Sequence, residues 1–171
     1  MKILNGLIVA YSLPEDAVAA EAAFIGVLNS EHETYLEMYG NTLIDLYTAI
    51  KKADSEGIVV HCLFDHTQSC GPTEKALVID LVNSLKNGSV VITTAGPDAE
   101  SKSQIAHRKR IMDVSGNTCF GSVNASHDGF HSQTNDMISF NDPDYVNAAI
   151  ERFKTRREWA LTNHPEYQIK P

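Results

Sequence analysis

Between positions 107 and 126 the chain collects side chains suited to chemistry at an anionic centre. His107 and Lys109 stand two residues apart, Asp113 follows, Ser115-Gly116-Asn117 reads as a turn, and Gly121-Ser122-Val123-Asn124 leads to Ser126. Imidazole is the side chain that serves as nucleophile or proton donor near neutral pH. An ammonium group and an amide are the donors that stabilise oxygens on which charge builds. Extended strands alternate their side chains, so His107 and Lys109 are expected on one face, with Asp113 on the same side. Such a set fits attack on a phosphodiester, where one group must attack and another must protonate the departing oxygen.

The elements around this stretch must hold it. The turn at Ser115-Gly116-Asn117 predicts two antiparallel strands, one carrying His107 and Lys109 and one ending at Gly121. Upstream, apolar residues at helical spacing (Ala17, Val18, Ala22, Ile25, Leu28) predict a first helix. Residues 33–39 alternate as a strand closed by Gly40. Asn41 is placed as the N-cap of a helix with the stripe Leu43, Leu46, Tyr47, Ile50 and Ala53. Residues 58–64 form an apolar run expected of a strand buried on both faces. That strand ends in Asp65-His66, a pair fit either to border a site at a strand's carboxyl end or to cap the following turn. A helix over 73–85, a strand over 89–94 and a polar loop over 95–103 complete the approach to the motif. Beyond it, residues 125–133 lack periodicity and read as a loop. Met137 to Phe140 form a last strand, and Asp142-Pro143 opens a helix with the stripe Val146, Ile150, Phe153 and Ala160. Residues 163–171 are expected to fray.

Taken with its spacing, the 107–126 stretch resembles the HKD motif of the phospholipase D superfamily: His-x-Lys, four residues, Asp, six residues, Gly-Ser-x-Asn. His107, Lys109, Gly121, Ser122 and Asn124 fall on the pattern, and Ser126 fits the small hydroxyl that often follows. The aspartate departs: position 114 is Val114, and Asp113 stands one place early. Asp113 is therefore the expected stand-in, with Asp136 a weaker one. The resemblance implies an α/β/α sandwich with a mixed, largely parallel sheet, phospholipase D-like, forming a single domain over 1–171.

It also implies a mechanism. Members of the family split phosphodiesters without a metal or other cofactor, through a phosphohistidine, and need two copies of the motif. This chain has one, like the short Nuc-type endonucleases that pair two identical subunits, so a homodimer with a shared site on the two-fold axis is expected. His107, Lys109, Asn124 and Asp113 are the expected catalytic residues. Ser122, Lys109, Asn124 and Ser126 are expected to bind substrate.

Composition narrows the partners. A net charge of −8 argues against a surface that binds nucleic acid everywhere. The basic residues are local: Lys102, Arg108, Lys109 and Arg110 at the motif, and Arg152, Lys154, Arg156 and Arg157 on the last helix, read there as a solvated face. Nucleic acid is thus the favoured substrate at the motif. Competing readings are a phospholipase or other small phosphodiesterase, and a degenerate relative that binds a protein or nucleic acid. No apolar run is long enough to span a membrane, and no basic amphipathic face indicates membrane binding. The apolar run Leu7-Ile8-Val9-Ala10 is interrupted upstream by Asn5 and Gly6 and followed by Pro14-Glu15-Asp16, so it reads as a first strand, not a cleaved leader. Cys62, Cys70 and Cys119, odd in number and without metal-ligand spacing, read as thiols of a reducing, cytoplasmic compartment. The polar cluster His127, Asp128 and His131 reads as solvated, not as a metal site.

Overall fold

The computed structural model describes residues 2–4, 8–29, 32–97 and 104–170. Lys102 and most of the polar loop before the motif lie outside them. An eight-stranded sheet forms the middle layer, with strands β1 (Lys2–Leu4), β2 (Ile8–Leu13), β3 (Glu33–Met38), β4 (Val59–Asp65), β5 (Ser89–Thr93), β6 (Lys109–Asp113), β7 (Asn117–Gly121) and β8 (Asn135–Asn141) in the spatial order β1-β2-β8-β7-β6-β3-β4-β5. Helices α1 (Ala17–Gly26), α2 (Ile44–Ser55), α3 (His66–Ser69), α4 (Glu74–Ser84), α5 (His127–His131) and α6 (Pro143–Asn163) connect them.

Period-two alternation along the central strands builds the two cores. Leu36, Met38, Cys62, Phe64, Ile92 and Ile111 face one way, against Phe24 of α1, Leu46 and Ile50 of α2, Leu81 of α4 and Phe130 of α5. Tyr35, Leu63, Val91 and Met112 face the other way, against Val146, Ile150, Phe153 and Ala160 of α6. The sandwich is therefore α/β/α as expected, and the expected α6 stripe is the buried one. Asp142 caps α6, its Oδ1 accepting from Tyr145 N at 3.0 Å, with Pro143 in the first turn.

The sheet is mixed, but it is not largely parallel. Among the named strands only β3, β4 and β5 pair in parallel, through crossovers whose helices α2 and α4 cover one face of β4 while α6 covers the other. Every other ladder is antiparallel. Connection length accounts for the β6–β7 ladder: the two strands are joined by a turn at Gly116, whose φ of 100° only glycine adopts freely, and so short a link cannot return a strand in parallel.

Other expectations need correction. Asn41 does not cap α2; Leu43 holds the N-cap position, without a side-chain cap bond. Residues 125–133 are not all loop, since Ser126 caps the short α5 by accepting from Gly129 N at 2.9 Å. Residues 163–170, expected to fray, are placed against the sheet, with a short 3-10 turn at Pro165–Tyr167. Gln168 donates to Ile92 O at 2.9 Å and accepts from Ile92 N at 3.0 Å, so its amide acts as a ninth-strand fragment against the edge strand β5. Arg156 is buried with Arg110 against Glu37, tying α6 to the sheet centre (Arg156 Nε to Glu37 Oε1, 2.9 Å), whereas Arg152 and Lys154 are exposed as expected. Sequence periodicity marks Arg156 only as polar; the buried carboxylate that claims it sits 119 residues away.

Candidate active site

Strand β6 runs antiparallel to β3, so its amino end lies beside the carboxyl end of β3: Lys109 pairs with Met38, and Tyr39 N donates to Arg108 O at 2.9 Å. The site grows from this junction. β6 begins at Lys109, two residues later than the sequence indicates, and His107 belongs to the extended lead-in. The pair nevertheless meets on one ring. The His107 imidazole lies 4.6 Å from the Tyr39 ring, centroid to centroid, and Lys109 Nζ lies 5.0 Å from the same centroid. Lys109 is buried and donates from Nζ to His107 O at 3.3 Å, while His107 is exposed. Tyr39 is itself held by Gln68, whose amide donates to the phenol oxygen at 3.0 Å.

Asp65, at the end of β4, both caps a turn and borders the site. Its Oδ1 accepts from Thr67 N at 2.8 Å and from the Thr67 hydroxyl at 2.5 Å, starting α3. Its Oδ2 accepts from Ala106 N at 2.6 Å, fixing the residue before His107. Electrostatics follow from this layout. Desolvation, reinforced by the Lys109 charge, lowers the His107 pKa from its ordinary value, and Asp65 opposes them. Burial lowers the Lys109 pKa, again opposed by Asp65. The neutral, nucleophilic imidazole is thus favoured over a wider pH range.

Asn124 approaches from the end of β7. Its side chain rests on Gly40, where a Cβ would come within 3.3 Å of Asn124 Cγ, and its buried Oδ1 has no partner among the described residues. Gly121 answers to packing: a Cβ there would lie 2.0 Å from Asp136 O on the neighbouring strand.

The remaining motif residues are placed elsewhere. Asp113 shares a face with Lys109, but four residues along a strand amount to about 13 Å. Its carboxylate is committed to the turn, accepting from Ser115 N at 2.8 Å, Asn117 N at 3.2 Å and Asn117 Nδ2 at 2.8 Å. Val114 packs against the core beneath α6. The Ser122 hydroxyl donates to Asn135 Oδ1 at 2.8 Å and accepts from Asp136 N at 3.0 Å, locking β7 to β8, and Asp136 is exposed. Ser126 is spent as the α5 cap. The chain thus brings His107, Lys109 and Asn124 to the ends of β6, β3 and β7, and leaves Asp113, Ser122 and Ser126 in structural bonds.

Gln68 and the buried Glu74 are absent from the sequence reading, which places Tyr39 only at the end of a strand and the buried Asn41 only as a helix cap. The rule that ligands gather at carboxyl ends of parallel strands points to residues 39–41 after β3 as much as to Asp65 after β4.

Elsewhere, no group of three or more His, Cys, Asp or Glu side chains among the described residues is arranged to hold a metal ion. His131 bonds Glu21 at 2.8 Å and stacks with His127. Cys62 and Cys119 are buried free thiols, the latter with its pKa pushed up to about 12 by desolvation, and Cys70 is exposed. No helix among the described residues is long and apolar enough to cross a membrane.

The architecture defines an α/β/α protein with a histidine and a lysine at the rim of a mixed sheet. No protein-family profile and no curated protein sequence matches the chain. Solved structures do. NucT from Helicobacter pylori superposes with a TM-score of 0.80 at 19% identity, covering 89% of this chain and 96% of that one. Nuc from Salmonella typhimurium, described as a phospholipase D family member, gives 0.73 at 18% identity, with 89% and 94% covered. The archaeal chromatin protein TrmBL2, whose structure is described as showing a novel mode of DNA binding, gives 0.55 at 12% identity over 86% of this chain and 50% of that one. The chain has the fold of the phospholipase D family member Nuc.

Proposed function

We propose that the protein is a phosphodiesterase of the phospholipase D superfamily, acting as a metal-independent nuclease at a site shared by two copies of the chain. The observation that carries this reading is the convergence of His107 and Lys109 on Tyr39, with Asn124 alongside, in a chain that has the fold of Nuc.

His107 of one protomer attacks phosphorus. A P–N bond forms, the P–O bond to the leaving group breaks, and His107 of the partner subunit gives its proton to the departing oxygen. Water then attacks the phosphohistidine, a P–O bond forms as the P–N bond breaks, and the partner subunit's His107 takes a proton from that water. Lys109 and Asn124 stabilise the non-bridging oxygens through both steps, so the reaction as written calls on no Lewis acid. Because the two imidazoles share a site, their protonation belongs to the pair. One motif histidine per chain supplies only half of this machinery, and that favours a two-fold dimer. Two exposed isoleucines at the same end of the sheet, Ile44 (64% exposed) and Ile105 (39%), suit cover by a second copy.

Nucleic acid is the favoured substrate because Arg108 is exposed beside the pair and adds local positive charge to a chain that is otherwise acidic. The test is cleavage of plasmid DNA, single-stranded DNA and RNA in excess EDTA by the wild type and by His107→Ala. Cleavage that resists EDTA and is lost in the variant is expected. Salt-sensitive DNA binding with no cleavage by the wild type would replace the nuclease with a binding protein, and turnover of lipid vesicles alone would make it a phospholipase.

A further inference from the structure

Asn124 has a task in the proposed reaction, yet its buried side-chain oxygen has no partner among the described residues. Its position is fixed by the backbone around it. Ala125 N donates to Gly40 O at 3.0 Å, while Thr42 N and Leu43 N both donate to Ala125 O at 2.8 Å. Asn41 forms a parallel bridge with Ala125, and Gly40 lies under the Asn124 amide. Residues 40–43 are therefore the bed on which Asn124 rests.

That bed is clamped at Asn41, which is fully buried. Its N–H donates to Glu74 Oε2 at 2.8 Å, and its carbonyl accepts from the Tyr47 phenol at 3.0 Å. The other Glu74 oxygen, Oε1, accepts from the Ser69 hydroxyl at 3.1 Å. Ser69 is the last residue of α3, the short helix that starts at Asp65 and carries Gln68 to Tyr39. One carboxyl group thus ties the half of the site that holds Asn124 to the half that supports His107 and Lys109. Glu74 is only 3% exposed and does not reach substrate.

We propose, building on the nuclease reading above, that Glu74 is a positioning residue that sets Asn124 relative to His107 and Lys109 through its paired bonds to Asn41 and Ser69. The titratable groups facing it are Asp65 from β4 and the Tyr47 phenol from α2; neither is a cation. Its function is therefore bond geometry and not charge pairing. An amide fulfils the same geometry, with its oxygen accepting from Asn41 N–H and its nitrogen donating to the Ser69 hydroxyl.

The test compares Glu74→Gln and Glu74→Leu with the wild type in EDTA, using bis-p-nitrophenyl phosphate as substrate and thermal unfolding to confirm a folded protein. Glu74→Gln is expected to keep kcat within about threefold. Glu74→Leu is expected to lose about tenfold or more in kcat with KM little changed, as displacement of a transition-state donor requires. Backbone hydrogen exchange at Thr42, Leu43 and Ala125 is read in parallel, and is expected to accelerate in Glu74→Leu and to stay at the wild-type rate in Glu74→Gln. A folded Glu74→Leu with unchanged kcat, or unchanged exchange at those amides, overturns the proposal. A loss as large in Glu74→Gln does the same. If the wild type shows no turnover that depends on His107, the nuclease reading fails by itself, and the exchange measurement still decides whether Glu74 holds the bed of Asn124.

Discussion

Glu74 also makes stability depend on pH in a way that can be worked out in advance. Burial pushes its pKa up from 4.5 to about 7, against the bonds from Asn41 and Ser69 that favour the anion, and Asp65 adds to the rise. A carboxyl whose pKa is higher in the folded chain than in the unfolded one is easiest to accommodate while it is protonated in both. Its stabilising share is complete below about pH 4.5, declines as pH rises toward 7, and is gone above it. The gap between 4.5 and about 7, at about 1.4 kcal/mol per pH unit, corresponds to about 3 kcal/mol. Glu74→Gln keeps both hydrogen bonds and cannot ionise. Near pH 4.5 the two proteins are expected to differ by about 1 kcal/mol or less. At pH 8 the glutamine variant is expected to be the more stable by about 3 kcal/mol. Urea unfolding of both proteins across this range measures the difference directly, and the other titrating groups cancel because both chains carry them. A difference that stays constant with pH would refute the reasoning, because Glu74 would then ionise in the folded chain as it does in the unfolded one.

Four further outcomes are expected. Lys109→Met should raise the His107 pKa and Asp65→Asn should lower it, since the lysine disfavours the imidazolium and the aspartate favours it; NMR titration of the imidazole reads both. Glu37→Gln should cost about 3 to 5 kcal/mol in denaturant unfolding, because Arg110 and Arg156 would be left buried without their counter-charge. Gly121→Ala should cost about 3 kcal/mol or more in the same assay, since the added carbon would meet Asp136 O at 2.0 Å and backbone must shift. Gln168→Ala should speed hydrogen exchange at the Ile92 amide and lower stability by about 1 to 2 kcal/mol, as both bonds between Gln168 and the edge strand are lost.

The fold was legible where periodicity governs it. The stripe of α6, the buried run of β4 and the turn at Gly116 each follow from local spacing, and each lies where that spacing indicates. The balance of parallel and antiparallel ladders was less legible, because apolar runs record burial and not the direction of the neighbour. Asn41 shows a related limit. Asparagine ahead of a helical stripe is a good cap by residue type, yet here its backbone is bonded by Glu74, 33 residues later, and its side chain has no part in α2.

The site divides along the same line. His107 and Lys109 are two residues apart in sequence, so any extended lead-in carries both toward Tyr39, and they meet even though β6 starts late. Asp113 follows at a spacing that local reasoning treats as equivalent, since alternate residues share a face. A shared face is not a shared place: the strand's length sends Asp113 to the far turn, where three donors occupy its carboxylate. The acid that does reach the His107 segment is Asp65, contributed by β4 and bonded to Ala106. Displacement of the motif aspartate to Asp113 therefore carries little weight against the proposed reaction. At that end of β6 the carboxylate serves the turn, while the charge balance around His107 and Lys109 is set by a different strand.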